Sequence, residues 1–117
     1  MAMGNIDRHL PLTEATFYIL LALVTPNHGY AVMQQAEEIS QGTFRLAPGT
    51  LYGALTSLEQ SRLINLAATE GRRKIYQISE LGKTVLREQI RRYQIMLESA
   101  VSNPELWEAN SAGGEQL

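Results

Sequence analysis

The fold of this chain is decided by residues 44–79, which read FRLAPGTLYGALTSLEQSRLINLAATEGRRKIYQIS. Residues 48–59 of this stretch predict a helix. Leu51, Leu55 and Leu58 recur there at i, i+4 and i+7 and form one apolar stripe. The other face carries small or hydroxyl-bearing side chains, namely Thr50, Gly53, Thr56 and Ser57, with Tyr52 at its edge. A helix with so little bulk on one face can approach another surface closely.

A two-stranded ribbon with a basic tip is predicted directly after this helix. Residues 63–68 and 74–79 are rich in β-branched and aromatic side chains, and they flank a polar, glycine-containing turn at residues 69–73. Arg72, Arg73 and Lys74 lie at the tip. Such charges on a lone hairpin fit an edge that resists strand-to-strand aggregation about as well as a phosphate contact. After a hydroxyl-rich helix they favour phosphate contact, and helix and ribbon together predict a winged helix-turn-helix.

The residues before this stretch supply supporting helices. Thr13 is a candidate N-cap for an apolar helix that continues to Val24. Residues 26–29 predict a turn, in which His28 is interpreted as a turn or capping residue. A second helix follows from Tyr30 and ends near Gly42. We therefore predict a mainly α fold with a small β-hairpin, in which residues 1–79 form a winged helix-turn-helix DNA-binding domain.

A long C-terminal helix is predicted at residues 80–103, capped by Ser79, with Gly82 as an internal weakness in its first turn. Its apolar residues recur with a period near 3.6, and a helix of about 22 residues is ~33 Å long, so part of the stripe overhangs the domain. We interpret the stripe as a dimerisation surface rather than as packing within the chain. Its candidate contacts are Leu86, Ile90, Tyr93 and Leu97. Residues 104–117 predict a flexible tail.

Charge is unevenly distributed along the chain. The 117 residues have a net charge of −2, from 10 Lys+Arg and 12 Asp+Glu. Residues 45–79, however, carry five cations and two anions, a balance of +3. Because DNA binding depends on the charge at the contact and not on the total, this locally basic segment is compatible with a DNA partner. With so few cations per subunit, we expect modest non-specific affinity.

Composition argues against other classes of protein. The chain has no cysteine, which excludes disulfides and thiolate chemistry. His9 and His28 are its only histidines, and no nucleophile–base spacing, phosphate-cradling glycine loop or metal-ligand cluster is present. We expect no enzymatic activity, no cofactor and no metal. The sequence shows neither a signal-peptide pattern nor a run of ~18 apolar residues, so we expect a cytoplasmic protein with no membrane partner.

An ordered set of motifs over about residues 12–90 resembles the PadR family of transcriptional regulators. The motifs are Leu12-Thr13-Glu14, His28-Gly29-Tyr30, PGTLYGAL at residues 48–55, Leu58-Glu59, Leu63-Ile64, RRKIY at residues 72–76 and Glu80-Leu81-Gly82. The resemblance implies a homodimeric winged-helix repressor that binds a palindromic operator. The short C-terminal part is similar to the smaller PadR subfamily. The alternative is a winged-helix protein-interaction adaptor without specific DNA binding.

The resemblance also implies roles for particular residues. DNA contacts would come from Thr50, Tyr52, Gly53, Thr56 and Ser57 on the helix and from Arg72, Arg73 and Lys74 on the ribbon. Tyr52 is equally open to interpretation as a core residue with its hydroxyl at the surface. Some small PadR members bind flat aromatic molecules between their subunits. The candidate effector site here comprises Phe17, Tyr93, Met96 and Leu97, although plain dimer packing is the favoured interpretation of Tyr93.

Overall fold

The structure is a computed structural model that describes residues 6–108. A single 3-10 turn at Asp7–His9 precedes the helices and strands. These are α1 (Glu14–Ala22), β1 (Asn27–His28), α2 (Gly29–Ile39), α3 (Pro48–Gln60), β2 (Ile64–Glu70), β3 (Arg73–Ile78), α4 (Glu80–Val101) and α5 (Pro104–Trp107). The strands form one antiparallel sheet in the order β1-β3-β2. The predicted winged helix-turn-helix, mainly α with a small sheet and a long last helix, is confirmed.

One apolar core joins the helices to the sheet. The predicted stripe of Leu51, Leu55 and Leu58 is buried in it, together with residues of α1, the sheet and the first half of α4. The two predicted caps are also present. The Thr13 hydroxyl accepts a hydrogen bond from the Thr16 backbone N–H at 3.1 Å, and the Ser79 hydroxyl accepts one from the Gly82 N–H at 2.9 Å. Side-chain caps of this kind satisfy donors that a helix start would otherwise leave unpaired.

The wing is tighter than the sequence predicted. β2 extends to Glu70 and β3 begins at Arg73, and these two residues are register partners across the hairpin. Only Gly71 and Arg72 remain for the turn, and Gly71 has a φ of +63°, a conformation that glycine adopts without steric cost. The predicted five-residue turn was wrong because cross-strand pairing continues to the tip. Thr69, Glu70 and Arg73 therefore belong to strands and not to the turn.

The predicted turn at residues 26–29 contains a short strand. Asn27 and His28 pair with Tyr76 and Ile75 of β3, so β1 becomes the outer strand of the sheet. A two-residue strand has no hydrophobic period of its own, and its formation depends on a partner almost fifty positions away in the sequence. The pairing ties the chain just before α2 to the strand that carries two of the wing cations.

Gly82 allows a close approach between α4 and the sheet. A Cβ atom built at this position would collide with the carbonyl oxygen of Leu63 and would lie 2.7 Å from Cγ1 of Ile78. Gly82, predicted as an internal weakness of the helix, therefore also has a packing role that the sequence did not indicate. The missing side chain lets the first turn of α4 lie directly on Leu63, the residue before β2, and on Ile78, the last residue of β3.

The C-terminal end also differs from expectation. Residues 104–107 form the short helix α5, and the indole N–H of Trp107 donates a hydrogen bond to the carbonyl oxygen of Ala100 at 2.9 Å. The predicted flexible tail therefore starts with a helix packed back on α4, and residues 109–117 of that tail lie outside the described residues. Between residues 6 and 108, no helix combines the length and apolarity needed to cross a membrane.

Gly82→Ala is expected to lower the thermal stability, although alanine is ordinarily the better helix former. The added methyl group has no room against Leu63 and Ile78, and overpacking of this kind costs about 1–3 kcal/mol. Gly53→Ala is the matched control, since apart from the adjacent residues and the backbone of its own helix no atom lies within 4 Å of a Cβ placed at that mid-helix position. There, alanine should stabilise the fold by about 0.5–1 kcal/mol. Thermal unfolding followed by circular dichroism measures the stability of both variants. A higher unfolding temperature in both variants would refute the close approach of α4 to the sheet.

Candidate nucleic-acid interface

Helix α3 turns one polar face to solvent because its leucine face is held in the core. All five residues predicted for DNA contact on this helix, Thr50, Tyr52, Gly53, Thr56 and Ser57, are exposed. Tyr52 is 57% exposed, so its interpretation as a core residue is wrong. At about 100° per residue, the outer face of α3 is centred on Gly53, with Thr50 and Ser57 on one side of it and Tyr52 and Thr56 on the other.

A cleft of about 500 Å³ lies between α3 and the wing. It is lined by residues from three parts of the chain: Tyr52, Leu55 and Thr56 of α3; Arg72, Arg73, Lys74 and Tyr76 of the wing; and His28, Gly29 and Tyr30. Five of the eight predicted DNA contacts therefore meet at one place. The remaining three, on the outer face of α3, do not line the cleft.

The pairing of β1 with β3 explains how the third group reaches the cleft. His28 lies opposite Ile75, the residue after Lys74, and α2 begins at the next position along the chain. The first turn of α2 is therefore fixed beside the base of the cationic hairpin. Sequence reasoning missed His28, Gly29 and Tyr30 as cleft residues, since their place depends on this long-range pairing. Their occurrence as one short motif was the only signal.

Gly29 makes the contact between α2 and α3 possible. A Cβ atom at Gly29 would lie 3.1 Å from both Cε1 and the hydroxyl oxygen of Tyr52, and 3.2 Å from Cδ2 of Leu51. These distances are shorter than ordinary carbon contacts, so a side chain there would press on the Tyr52 ring. The absence of one lets the ring lie against the start of α2, which sets the position of the aromatic wall of the cleft.

The wing cations carry charge that the protein does not neutralise. None of the ion pairs in the described part of the chain includes Arg72, Arg73 or Lys74, and all three side chains are exposed. Three neighbouring like charges produce a local positive potential that attracts polyanions. Two residues after Lys74, burial raises the pKa of the Tyr76 hydroxyl, with a smaller contribution from Glu59. Among residues 6–108 no group of three His, Asp or Glu side chains could hold a metal ion.

The predicted dimerisation residues divide into two sets. Leu86 is only 4% exposed and packs in the core of its own domain, so its assignment to a free surface was wrong. The period of the stripe continues through both the packed and the overhanging halves of α4, and the sequence does not mark where one ends. Ile90 and Leu97 are exposed, the latter by 63%, and Val101 extends the same side of the helix. Tyr93 is half-buried between them.

The candidate effector residues lie around the same helix. The rings of Phe17 and Tyr93 meet edge to face with their centroids 5.1 Å apart, while Met96 and Leu97 are exposed one turn further along. Phe17 also contacts Tyr18 at 5.6 Å, and Tyr18 stacks on Phe44 at 5.4 Å. Burial raises the pKa of Tyr93, and Glu14 and Tyr18 add to that rise.

A network of charged side chains joins α4 to the N-terminal segment. Glu88 is 7% exposed and accepts hydrogen bonds from Arg91 at 2.8 and 2.9 Å and from Arg92 at 3.1 Å. Arg92 also bonds to Asp7 at 3.2 Å. These charge-assisted bonds lower the pKa of Glu88 to about 2. The next residue, the buried Gln89, accepts a hydrogen bond from the Leu12 backbone N–H at 2.6 Å.

The family of this chain follows from residues 19–88, which match the model described as the Transcriptional regulator PadR-like family. The chain belongs to this family. The fold and the family are those of transcriptional regulators and not of enzymes. The resemblance found in the ordered motifs is thereby confirmed.

Curated relatives of this PadR-like chain include two longer proteins. It is 36% identical over 74 residues to an uncharacterized 37.1 kDa protein in transposon TN4556 of Streptomyces fradiae, covering 62% of this chain and 21% of that protein. It is 32% identical over 62 residues to the transcriptional regulator YqjI of Escherichia coli K12, covering 53% of this chain and 30% of that protein. The chain thus spans less than a third of the length of either relative.

Solved structures of similar size share the PadR-like fold. A transcriptional regulator from Clostridium thermocellum superposes with a TM-score of 0.64 at 17% identity, over 88% of this chain and 97% of that one. A PadR-like transcription factor from Bacteroides fragilis gives a TM-score of 0.64 at 22% identity, over 82% and 95% of the two chains. At these identities the likeness establishes the fold alone.

Glu88→Gln is expected to destabilise the protein at neutral pH and less so in acid. Because the folded-state pKa of Glu88 lies at about 2, below its ordinary value of 4.5, the carboxylate contributes stability above pH ~4.5 that is lost as the pH falls toward 2. Denaturant unfolding at pH 7 and pH 3 measures the difference between wild type and variant, which should shrink at pH 3.

Glu80→Gln is the matched control on the same helix. Glu80 is exposed and pairs with Lys83 at 3.3 Å, and exposed pairs contribute roughly 0–1 kcal/mol. Its effect should be small at both pH values. An equal destabilisation by Glu88→Gln at pH 7 and pH 3 would show that the charge of Glu88 is not the source of its contribution.

Proposed function

We propose that this PadR-like chain is a DNA-binding transcriptional regulator that uses α3 and the wing together. The observation that carries the proposal is the meeting of an exposed, low-bulk helix face with three unpaired cations at one cleft. An α-helix with its side chains is about 10–12 Å across, and the major groove of B-DNA is about 12 Å wide. The helix can therefore enter the groove while the cations meet the flanking backbone.

The predicted contacts take different parts in this proposal. Thr50, Gly53 and Ser57 on the outer face of α3 would approach base edges, with Tyr52 and Thr56 beside them. Arg72, Arg73 and Lys74 would hold the flanking phosphates or the adjacent minor groove. Hydroxyl groups distinguish bases poorly, since they both donate and accept. Much of the sequence preference would then come from DNA shape and from the distance between two half-sites.

The proposed binding unit is a homodimer formed through the overhanging half of α4. Ile90, Leu97 and Val101 expose apolar surface on one side of a helix, which is unusual for a monomer and typical of an interaction surface. A two-fold dimer would place its two α3 helices in successive major grooves, about 34 Å apart, and would read a palindromic operator.

The remaining parts of the proposal are repression and its release by a small aromatic effector. Both rest on the resemblance to small PadR regulators. The edge-to-face pair of Phe17 and Tyr93, with Met96 and Leu97 exposed nearby, offers the apolar and aromatic surface that such a molecule requires. In the proposed dimer the second subunit would close the site.

Replacement of Arg72, Arg73 and Lys74 by alanine is expected to abolish binding to a DNA fragment from upstream of the protein's own gene. Fluorescence anisotropy measures the loss of affinity, with a scrambled fragment for comparison. Measurements at two salt concentrations give the slope of log affinity against log salt concentration, to which each phosphate contact contributes about one unit. The control replaces Arg8, Lys83 and Arg87 by alanine, which removes the same charge away from the cleft. Equal or absent binding of the wild type to both fragments would favour the protein-interaction adaptor instead.

Leu97→Glu is expected to convert the dimer to a monomer without lowering the thermal stability of each subunit, because a charge cannot be buried unpaired at an apolar interface. Ile95→Glu is the matched control, since Ile95 is also exposed and lies on roughly the opposite side of α4. Sedimentation velocity measures the oligomeric state. A Leu97→Glu protein that stays dimeric would refute the proposed surface.

A further inference from the structure

The cleft between α3 and the wing contains an exposed tyrosine to which the proposed DNA contacts give no role. Tyr30 is the second residue of α2, is 59% exposed and lines the cleft together with the three wing cations. Its ring is therefore not needed for the core. A large aromatic side chain left in water beside a cluster of cations is in a position to contact a ligand.

The Tyr30 hydroxyl is free to bond to such a ligand. None of the hydrogen bonds within residues 6–108 involves it, and the same holds for the hydroxyls of Tyr52 and Tyr76, whereas the Thr56 hydroxyl donates to the Tyr52 carbonyl oxygen at 3.1 Å. A phenolic hydroxyl can donate one hydrogen bond at neutral pH. The cleft therefore offers a neutral donor from α2 facing cationic donors from the wing.

This combination fits a phosphate group better than a base edge. Phosphate oxygens are anionic acceptors, and tyrosine hydroxyls are among the side chains that contact them in protein–DNA interfaces. To enter the cleft, a base edge would have to pass the outer face of α3. The residues of that face, Thr50, Gly53 and Ser57, do not line the cleft. The cations supply long-range attraction, and the hydroxyl adds a short-range bond of fixed position.

We infer that Tyr30 donates a hydrogen bond to a backbone phosphate of bound DNA, so that one strand is held between the start of α2 and the wing. The inference rests on the proposed function and adds a third element to the interface. Gly29 is the positioning residue for this arrangement, because it allows Tyr52 to lie against the start of α2 and so sets the width of the cleft.

Tyr30→Phe tests the inference, since it removes only the hydroxyl. Affinity for the upstream fragment and for scrambled DNA should fall by the same factor, roughly five- to tenfold. The salt slope should stay unchanged, because no cation is lost, whereas Lys74→Ala should reduce it by about one. Tyr18→Phe is the matched control, because Tyr18 stacks on Phe44 and does not line the cleft. It should bind as the wild type does.

The outcomes separate this inference from the function beneath it. If wild type binds DNA and Tyr30→Phe binds equally well, the inference fails and the proposed function stands. A loss confined to the upstream fragment would mean that Tyr30 reads bases, which also overturns the inference. If wild type binds neither DNA, both fail together. A competition arm with inorganic phosphate at constant ionic strength distinguishes a DNA phosphate from a free one. Displacement of DNA from wild type but not from Tyr30→Phe would assign Tyr30 to a free-anion site instead.

Discussion

Leu51, Leu55 and Leu58 have to leave water, and this requirement determines which face of α3 remains outside. Burying a leucine side chain contributes about 1.5–3 kcal/mol, so rotating the helix to bury its threonines instead would lose most of its attachment to the core. The polar face is consequently presented with a fixed orientation. The wing and the start of α2 are then arranged around a helix whose orientation is already set.

The sheet supplies the second constraint. β3 is the central strand, and both of its neighbours precede it in the chain: β2 immediately before it and β1 almost fifty residues earlier. β3 thus carries part of the cationic tip, pairs with the strand that leads into α2 and, through Ile78, forms part of the surface on which Gly82 lies. The cleft is a consequence of that convergence. Of its three walls, the wing includes β3, the start of α2 follows the strand paired with β3, and α3 lies against the start of α2.

The features predictable from the sequence were those determined by residues close together in the chain. The leucine period of α3, the caps at Thr13 and Ser79 and the alternation in the hairpin each depend on a few neighbouring residues, and they predicted the architecture. Three features that the sequence did not predict have a common cause. Gly82, His28 and Leu86 owe their roles to segments far away in the chain: a carbonyl at Leu63, a strand partner at Ile75 and the core beneath α4. Periodicity identifies a helix face but does not reveal how far along that face the domain extends.

The network around Glu88 has a consequence for the electric field of the whole molecule. Arg91 and Arg92 are occupied by Glu88 and Asp7, so two of the cations of α4 add little to the potential outside the protein. The uncompensated positive charge is concentrated at the hairpin, while residues 93–108, at the other end of α4, carry three anions and no cation. The molecule is thus polarised from end to end. A polyanion attracts the wing and repels the distal end, so an encounter is oriented before any surface touches.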